Sequence, residues 1–178
     1  MKVTAKDIPG YGDYDAGERI ELARGTYAVI KIARDDSKGE PWKEYDGHGP
    51  VSDWVTRDKL PGELVLDTDR GRKLFYDFAE AVKIAKRDGW DTKPYGTGTK
   101  GERAHRAAMA DYEHLRSWCN GDWTWIGVTV TLHTPAGEFN ASLWGIESGG
   151  DYWREVAVEL IEQCQYEQDI DRQLQALV

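Results

Sequence analysis

Residues 41–54, PWKEYDGHGPVSDW, are the densest collection of chemically capable side chains in this sequence. Two tryptophans, Tyr45 and His48 stand among Glu44, Asp46 and Asp53, and Gly47, Gly49 and Pro50 break any regular helix or long strand. Irregular loops carrying aromatic and charged groups are where folds place binding and catalytic residues. A histidine between two glycines is sterically open, and its backbone can take unusual angles. Beside Asp46 and Asp53, His48 can serve as a general base with a carboxylate orienter, or as part of a divalent-cation site. The competing assignment is structural. There Trp42, Tyr45 and Trp54 pin the loop to the body and His48 makes a supporting hydrogen bond. No reaction signature surrounds the histidine, so no catalytic residue is assigned; His48, Asp46 and Asp53 are the candidates.

Other chemistry-bearing groups do not combine into motifs. His105 and His114 are nine residues apart on an expected helix and point to opposite faces, so they cannot share a metal. His133 ends an expected strand with no evident partner. No zinc-protease, nucleophile-elbow, Cys-His or EF-hand pattern occurs. Gly96-Thr-Gly-Thr-Lys-Gly101 does not match a phosphate loop, and no strong apolar strand precedes it. Cys119 and Cys164 are remote from any other metal-ligand cluster. No metal, cofactor or disulfide framework is expected, and a reducing cytoplasm is the default location.

These groups need elements to position them. Tyr27–Ala33 alternates as a strand with Ala28, Ile30 and Ile32 inward. Short strands are expected over 51–57 and 63–66. Asp67-Thr-Asp69 offers N-caps for a helix over 71–87, with Leu74, Phe75, Phe78, Val82 and Ala85 as its stripe and Gly89 as its stop. Thr99 and Glu102 form a capping box for a second helix over 100–119, with Ala104, Ala108, Tyr112, Leu115 and Cys119 inward. Trp123–His133 is the clearest strand, with Ile126, Val128, Val130 and Leu132 facing a core; a hairpin returns it over 139–146. A last helix over 152–173 buries Trp153, Val156, Ala157, Leu160, Ile161 and Cys164. The order predicts an α+β fold: a small antiparallel sheet of three to five strands packed against about three helices on one face. A chain of 178 residues fits one domain over 1–178, with 1–20 a loosely attached arm and 165–178 a helix end that can project.

Composition narrows the partners. A formal charge of -9 argues against direct binding to a nucleic-acid backbone and favours a basic protein surface, a cation or solubility alone. The start of the chain has no apolar signal core, and no apolar run is long enough to cross a bilayer, so no membrane association is expected. Eight Trp and 9 Tyr against 3 Phe favour amphipathic rings, which serve interfaces as well as cores. Trp118, Trp123, Trp125 and Trp144 are either a core cluster or an exposed binding patch. The last helix carries Glu155, Glu159 and Glu162 among further acids, a solvated face or a contact for a basic groove.

The phrases EYDGHGPVSDW, FYDFAEAVKIAKRDGW, WTWIGVTVTL and ASLWGIES together resemble a group of small uncharacterised proteins of bacteriophages, prophages and their proteobacterial hosts. The resemblance covers about residues 31–162. It implies an accessory protein of a virus or mobile element, working in the bacterial cytoplasm, and transfers no catalytic residue. The leading expectation is a non-enzymatic protein that binds a host protein with a basic nucleic-acid-binding surface, as an inhibitor of CRISPR or restriction defence would. Its partner-binding residues are Trp42, Tyr45, His48, Trp54, Glu155, Glu159 and Glu162. One alternative is a small metal-assisted hydrolase or nucleotide-processing enzyme using Asp46, His48 and Asp53. Another is a structural or oligomeric phage component.

Overall fold

The computed structural model describes residues 3–10, 17–23, 25–90 and 96–177. Its elements in order are a 3-10 turn (Ala5–Asp7), β1 (Glu18–Ala23), β2 (Thr26–Arg34), α1 (Pro41–Glu44), β3 (Val51–Trp54), β4 (Glu63–Asp69), β5 (Arg72–Asp77), α2 (Phe78–Asp88), α3 (Lys100–Cys119), β6 (Trp125–Thr134), β7 (Gly137–Glu147) and α4 (Tyr152–Gln175). Helices and antiparallel strands make the fold α+β, as expected. The contacts divide the chain, which its length suggested to be one domain, into two compact units. One comprises Met1–Lys38 with Trp123–Val178, the other Gly39–Asp122.

The first unit is a four-stranded antiparallel sheet in the order β1-β2-β6-β7. Ala28, Ile30 and Ile32 pair with Leu132, Val130 and Val128, so the alternating apolar residues of both strands reach the same face. The apolar side of α4, spaced by three and four residues from Trp153 to Cys164, seals that face. Complete burial of Ile126 and Leu132 removes apolar surface from water at about 1.5–3 kcal/mol per side chain. The register shifts between Ile126 and Val128, where Trp144 lies across Gly127; a Cβ at 127 would run into the indole. Asp35, buried at the end of β2, accepts from the Ser37 hydroxyl (2.6 Å), the Ser37 N–H (3.1 Å) and the Gly145 N–H (2.9 Å), fastening β2 to β7.

The expected loose arm over 1–20 is corrected over its described part. Val3 and Ile8 are buried in this core, and Glu18 opens β1, which pairs with β2. The signal missed was the alternation Arg19, Ile20, Glu21, Leu22, in which Ile20 and Leu22 pack against the core.

The second unit pairs β3-β5-β4 in an antiparallel sheet and packs α3 against β4 and α2. Its core joins Leu66, Leu74, Tyr76, Ala81, Ala108, Tyr112 and Leu115. The helix expected over 71–87 is corrected here: its first third is β5, and only Phe78–Asp88 is helical. Asp67-Thr-Asp69 ends β4 rather than capping a helix. Arg70 and Gly71 turn the chain with φ of 47° and 88°, the paired positive angles of a tight two-residue hairpin loop. The cap is Asp77, which accepts from the Glu80 N–H at 2.9 Å. Leu74, Phe75 and Tyr76 are all buried, and an apolar run buried on both faces carries no strand alternation to distinguish it from a helix. The three helices expected on one face are likewise corrected: α4 covers the four-stranded sheet, while α2 and α3 belong to the second unit.

Candidate functional site in the second unit

The 45–50 loop is organised by one carboxylate from α3. Ala104, Ala108, Asp111 and Leu115 fall at spacings of four, three and four, so Asp111 lies on the stripe that α3 buries. An acid there needs partners, and it has three. Its Oδ2 accepts from the Gly49 N–H at 2.8 Å and the Tyr76 hydroxyl at 2.7 Å, and its Oδ1 lies 2.6 Å from His48 Nδ1. An ionised carboxylate can only accept, so Nδ1 is the donor in this bond, and in the neutral tautomer that this leaves Nε2 is the acceptor. The turn before it depends on Gly47, at φ 107°. Gly49 is required for a different reason: a Cβ there would collide with the Tyr76 phenol. Burial, then the Asp111 charge and its hydrogen bond, push the Tyr76 hydroxyl far above its usual range, so it remains a donor.

Beside this knot is a cleft of about 310 Å³ whose lining includes Trp42, Lys43, His48, Asp53, Arg72 and Leu74. Trp42 meets Trp118 of α3 edge to face at 5.6 Å. The His48 ring lies parallel to that of His114 at 6.3 Å. Arg72 spans the wall, donating from Nε to Asp53 Oδ2 (2.7 Å) and from Nη2 to Glu40 Oε1 (2.5 Å). Burial works against the Glu40 carboxylate, but the Lys43 and Arg72 hydrogen bonds outweigh it and hold its pKa below the usual value.

His48 and Asp53 therefore line one cleft, with Asp53 engaged by Arg72, while Asp46 is exposed and outside the lining. The carboxylate on His48 is Asp111, 63 positions away, rather than Asp46 or Asp53. Among the described residues no three His, Cys, Asp or Glu side chains come together as a metal-binding group. Tyr45 and Trp54 stand out from the loop at 46% and 42% exposure, while Trp42 is half-buried. Trp54 is held from beneath by the Arg57 guanidinium, 4.4 Å from its ring, and Arg57 makes a two-pronged bond to buried Glu63 at 2.7 Å on each arm. Glu155, Glu159 and Glu162 are exposed on α4, in the other unit.

The remaining sequence candidates separate. In the first unit Trp123 and Trp125 are buried edge to face at 5.1 Å and Trp144 is half-exposed, while Trp118, in the second, packs on Trp42. His133 does have partners: Tyr27 stacked at 4.6 Å and Glu138 at 2.9 Å. His105 packs against Phe78. Of the glycine-rich 91–101 stretch, 91–95 lie outside the described residues. Thr99 caps α3, and the Thr97 and Gly98 carbonyls accept from Arg106 and Arg103.

Comparison with protein-family models, with curated proteins and with solved structures finds no significant match. Among the described residues no helix is long and apolar enough to cross a membrane.

Proposed function

We propose that this chain is a non-enzymatic accessory protein of a bacteriophage or mobile element that binds a host protein, and that its specific role is to inhibit a nucleic-acid-directed defence system. The observation that carries the binding reading is an anchored loop displaying exposed aromatics. Asp111 ties down 48–49, the Arg72 bonds fasten 40 and 53, and Arg57 backs Trp54, so the loop that carries Tyr45 and Trp54 is fixed on both sides before any target binds. Pre-ordered aromatic anchors lose little conformational entropy on binding and dominate interface energies. The net charge of -9 supports a basic target, such as a surface that otherwise holds DNA or RNA. The test is capture of a partner from bacterial lysate by the wild type, by Tyr45→Ala/Trp54→Ala and by a variant reversing Glu155, Glu159 and Glu162 to Lys. Loss of one retained partner by Tyr45→Ala/Trp54→Ala supports the reading, and its loss by the charge-reversal variant as well supports a basic target; capture of that partner unchanged by Tyr45→Ala/Trp54→Ala sinks it.

A second reading is favoured by one observation, the His48–Asp111 pair at the cleft wall. Nε2 can take a proton from water as that water attacks a bound electrophile, while Asp111 stabilises the imidazolium. The base and its orienter then come from this pair rather than from a metal site on Asp46 and Asp53. The test is hydrolysis of a panel of ester, phosphoester and amide substrates. Activity abolished by His48→Gln and retained by Tyr45→Ala/Trp54→Ala supports it, and an inactive wild type removes it.

A further inference from the structure

The core side of α4 ends at Cys164, but the helix runs on to Gln175. Past Cys164, Tyr166, Ile170 and Leu174 follow one another at spacings of four residues, a row that winds slowly around the helix, exposed by 67%, 39% and 58%, and Leu177 follows just past the helix. Three large apolar side chains aligned along a solvent face form a ridge that another helix can pack against. The ridge is set in an acidic helix, where six acids against two arginines leave a formal charge of -4. Both arginines are already paired, Arg154 with Asp151 and Arg172 with Asp169. A second copy of α4 laid along this face would bring like charges together, at a cost. An anionic lipid surface would be repelled for the same reason.

We infer that the C-terminal part of α4, past Cys164, docks an amphipathic helix of a partner protein, one that places Leu, Ile or aromatic residues on the Tyr166–Ile170–Leu174 ridge and Lys or Arg against its flanking acids. This rests on the protein-binding reading above and names the chemistry of the partner. Recognition would follow the helix-on-apolar-face mode, with anchors every three to four residues. Salt would weaken the charged rim without removing the apolar contact.

The test uses the full chain and a labelled synthetic helix of Leu and Lys, with leucines every three or four residues on one face. A peptide of the same composition in scrambled order is the control. Fluorescence anisotropy should show binding to the amphipathic peptide at least about 10-fold tighter than to the scrambled one. Ile170→Ser/Leu174→Ser should cost about 10-fold or more while the helix content stays unchanged by circular dichroism. Leu143→Ser, which removes an exposed apolar residue from β7, should leave binding as it was. Equal binding of both peptides, or full binding by the double variant, overturns the inference. So does light scattering that shows a dimer converted to monomer by the double variant, because a second copy then occupies the face. If a lysate partner is lost by Tyr45→Ala/Trp54→Ala but kept by Ile170→Ser/Leu174→Ser, the loop reading stands and this one fails. Loss of the peptide with no lysate partner for either protein gives the reverse.

Discussion

Replacing Asp111 by Ala removes the one acceptor that serves Gly49, Tyr76 and His48. Hydrogen bonds to a charged group contribute about 1.5–3 kcal/mol each, but the three losses do not add. The Tyr76 hydroxyl retains the Ala108 carbonyl at 3.2 Å, and His48, 17% exposed at its side chain, can turn toward water. The Gly49 N–H has no such substitute, and Gly49 is buried. The expected cost is about 3–4 kcal/mol, a large share of the total stability of an ordinary domain. Asp111→Asn should cost less, about 1–2 kcal/mol. Its amide oxygen still accepts from Gly49 and Tyr76, while its NH2 meets a His48 whose ring proton has moved to Nε2. Urea unfolding followed by circular dichroism measures both variants, and hydrogen exchange at the Gly49 amide reports the loop directly. A loss below about 1 kcal/mol for Asp111→Ala, with Gly49 exchange unchanged, would refute the claim that this carboxylate organises the loop.

Three further outcomes follow from the same structure. The Tyr76 hydroxyl has its pKa raised above the ordinary 10.0, so its contribution is complete below pH 10 and is lost as pH rises beyond that value; Tyr76→Phe should abolish this part of the alkaline unfolding. Asp35 is the opposite case. The Ser37 hydroxyl bond outweighs burial and lowers its pKa, so the stabilisation is present above the ordinary 3.8 and fades as pH falls below it, and Ser37→Ala should flatten that acid limb of a pH-stability curve. Gly127→Ala should cost about 1–3 kcal/mol or force the Trp144 indole off its strand, which thermal unfolding and tryptophan fluorescence together would show.

Much of the framework was legible because its periods are unambiguous. The 126–132 alternation, the α4 spacing from 153 to 164 and the Thr99–Glu102 capping box each admit one local structure, and each is present. The 67–77 stretch was not legible, because its turn uses Arg70-Gly71 rather than Asn-Gly and because Leu74–Tyr76 is buried on both faces. β1 was hidden by its short, half-polar sequence beside glycines. At the site, sequence proximity suggested Asp46 and Asp53 as companions of His48. The actual companion, Asp111, is brought to it by tertiary packing. Its one sequence signal was an acid standing on the 104–108–115 apolar stripe of α3, which asks for buried partners. Tyr76 carried no comparable signal, since an aromatic in a strand serves equally as plain core.

The central claim is that an anchored loop presents Tyr45 and Trp54 to a protein partner. The most direct test is a tagged pull-down from host lysate at low and high salt, with mass spectrometry, comparing the wild type with Tyr45→Ala/Trp54→Ala. The account predicts one stoichiometric, nucleic-acid-binding host protein that weakens with salt and disappears with the two aromatics. The same protein retained at full yield by Tyr45→Ala/Trp54→Ala, or no specific protein at either salt, would contradict it.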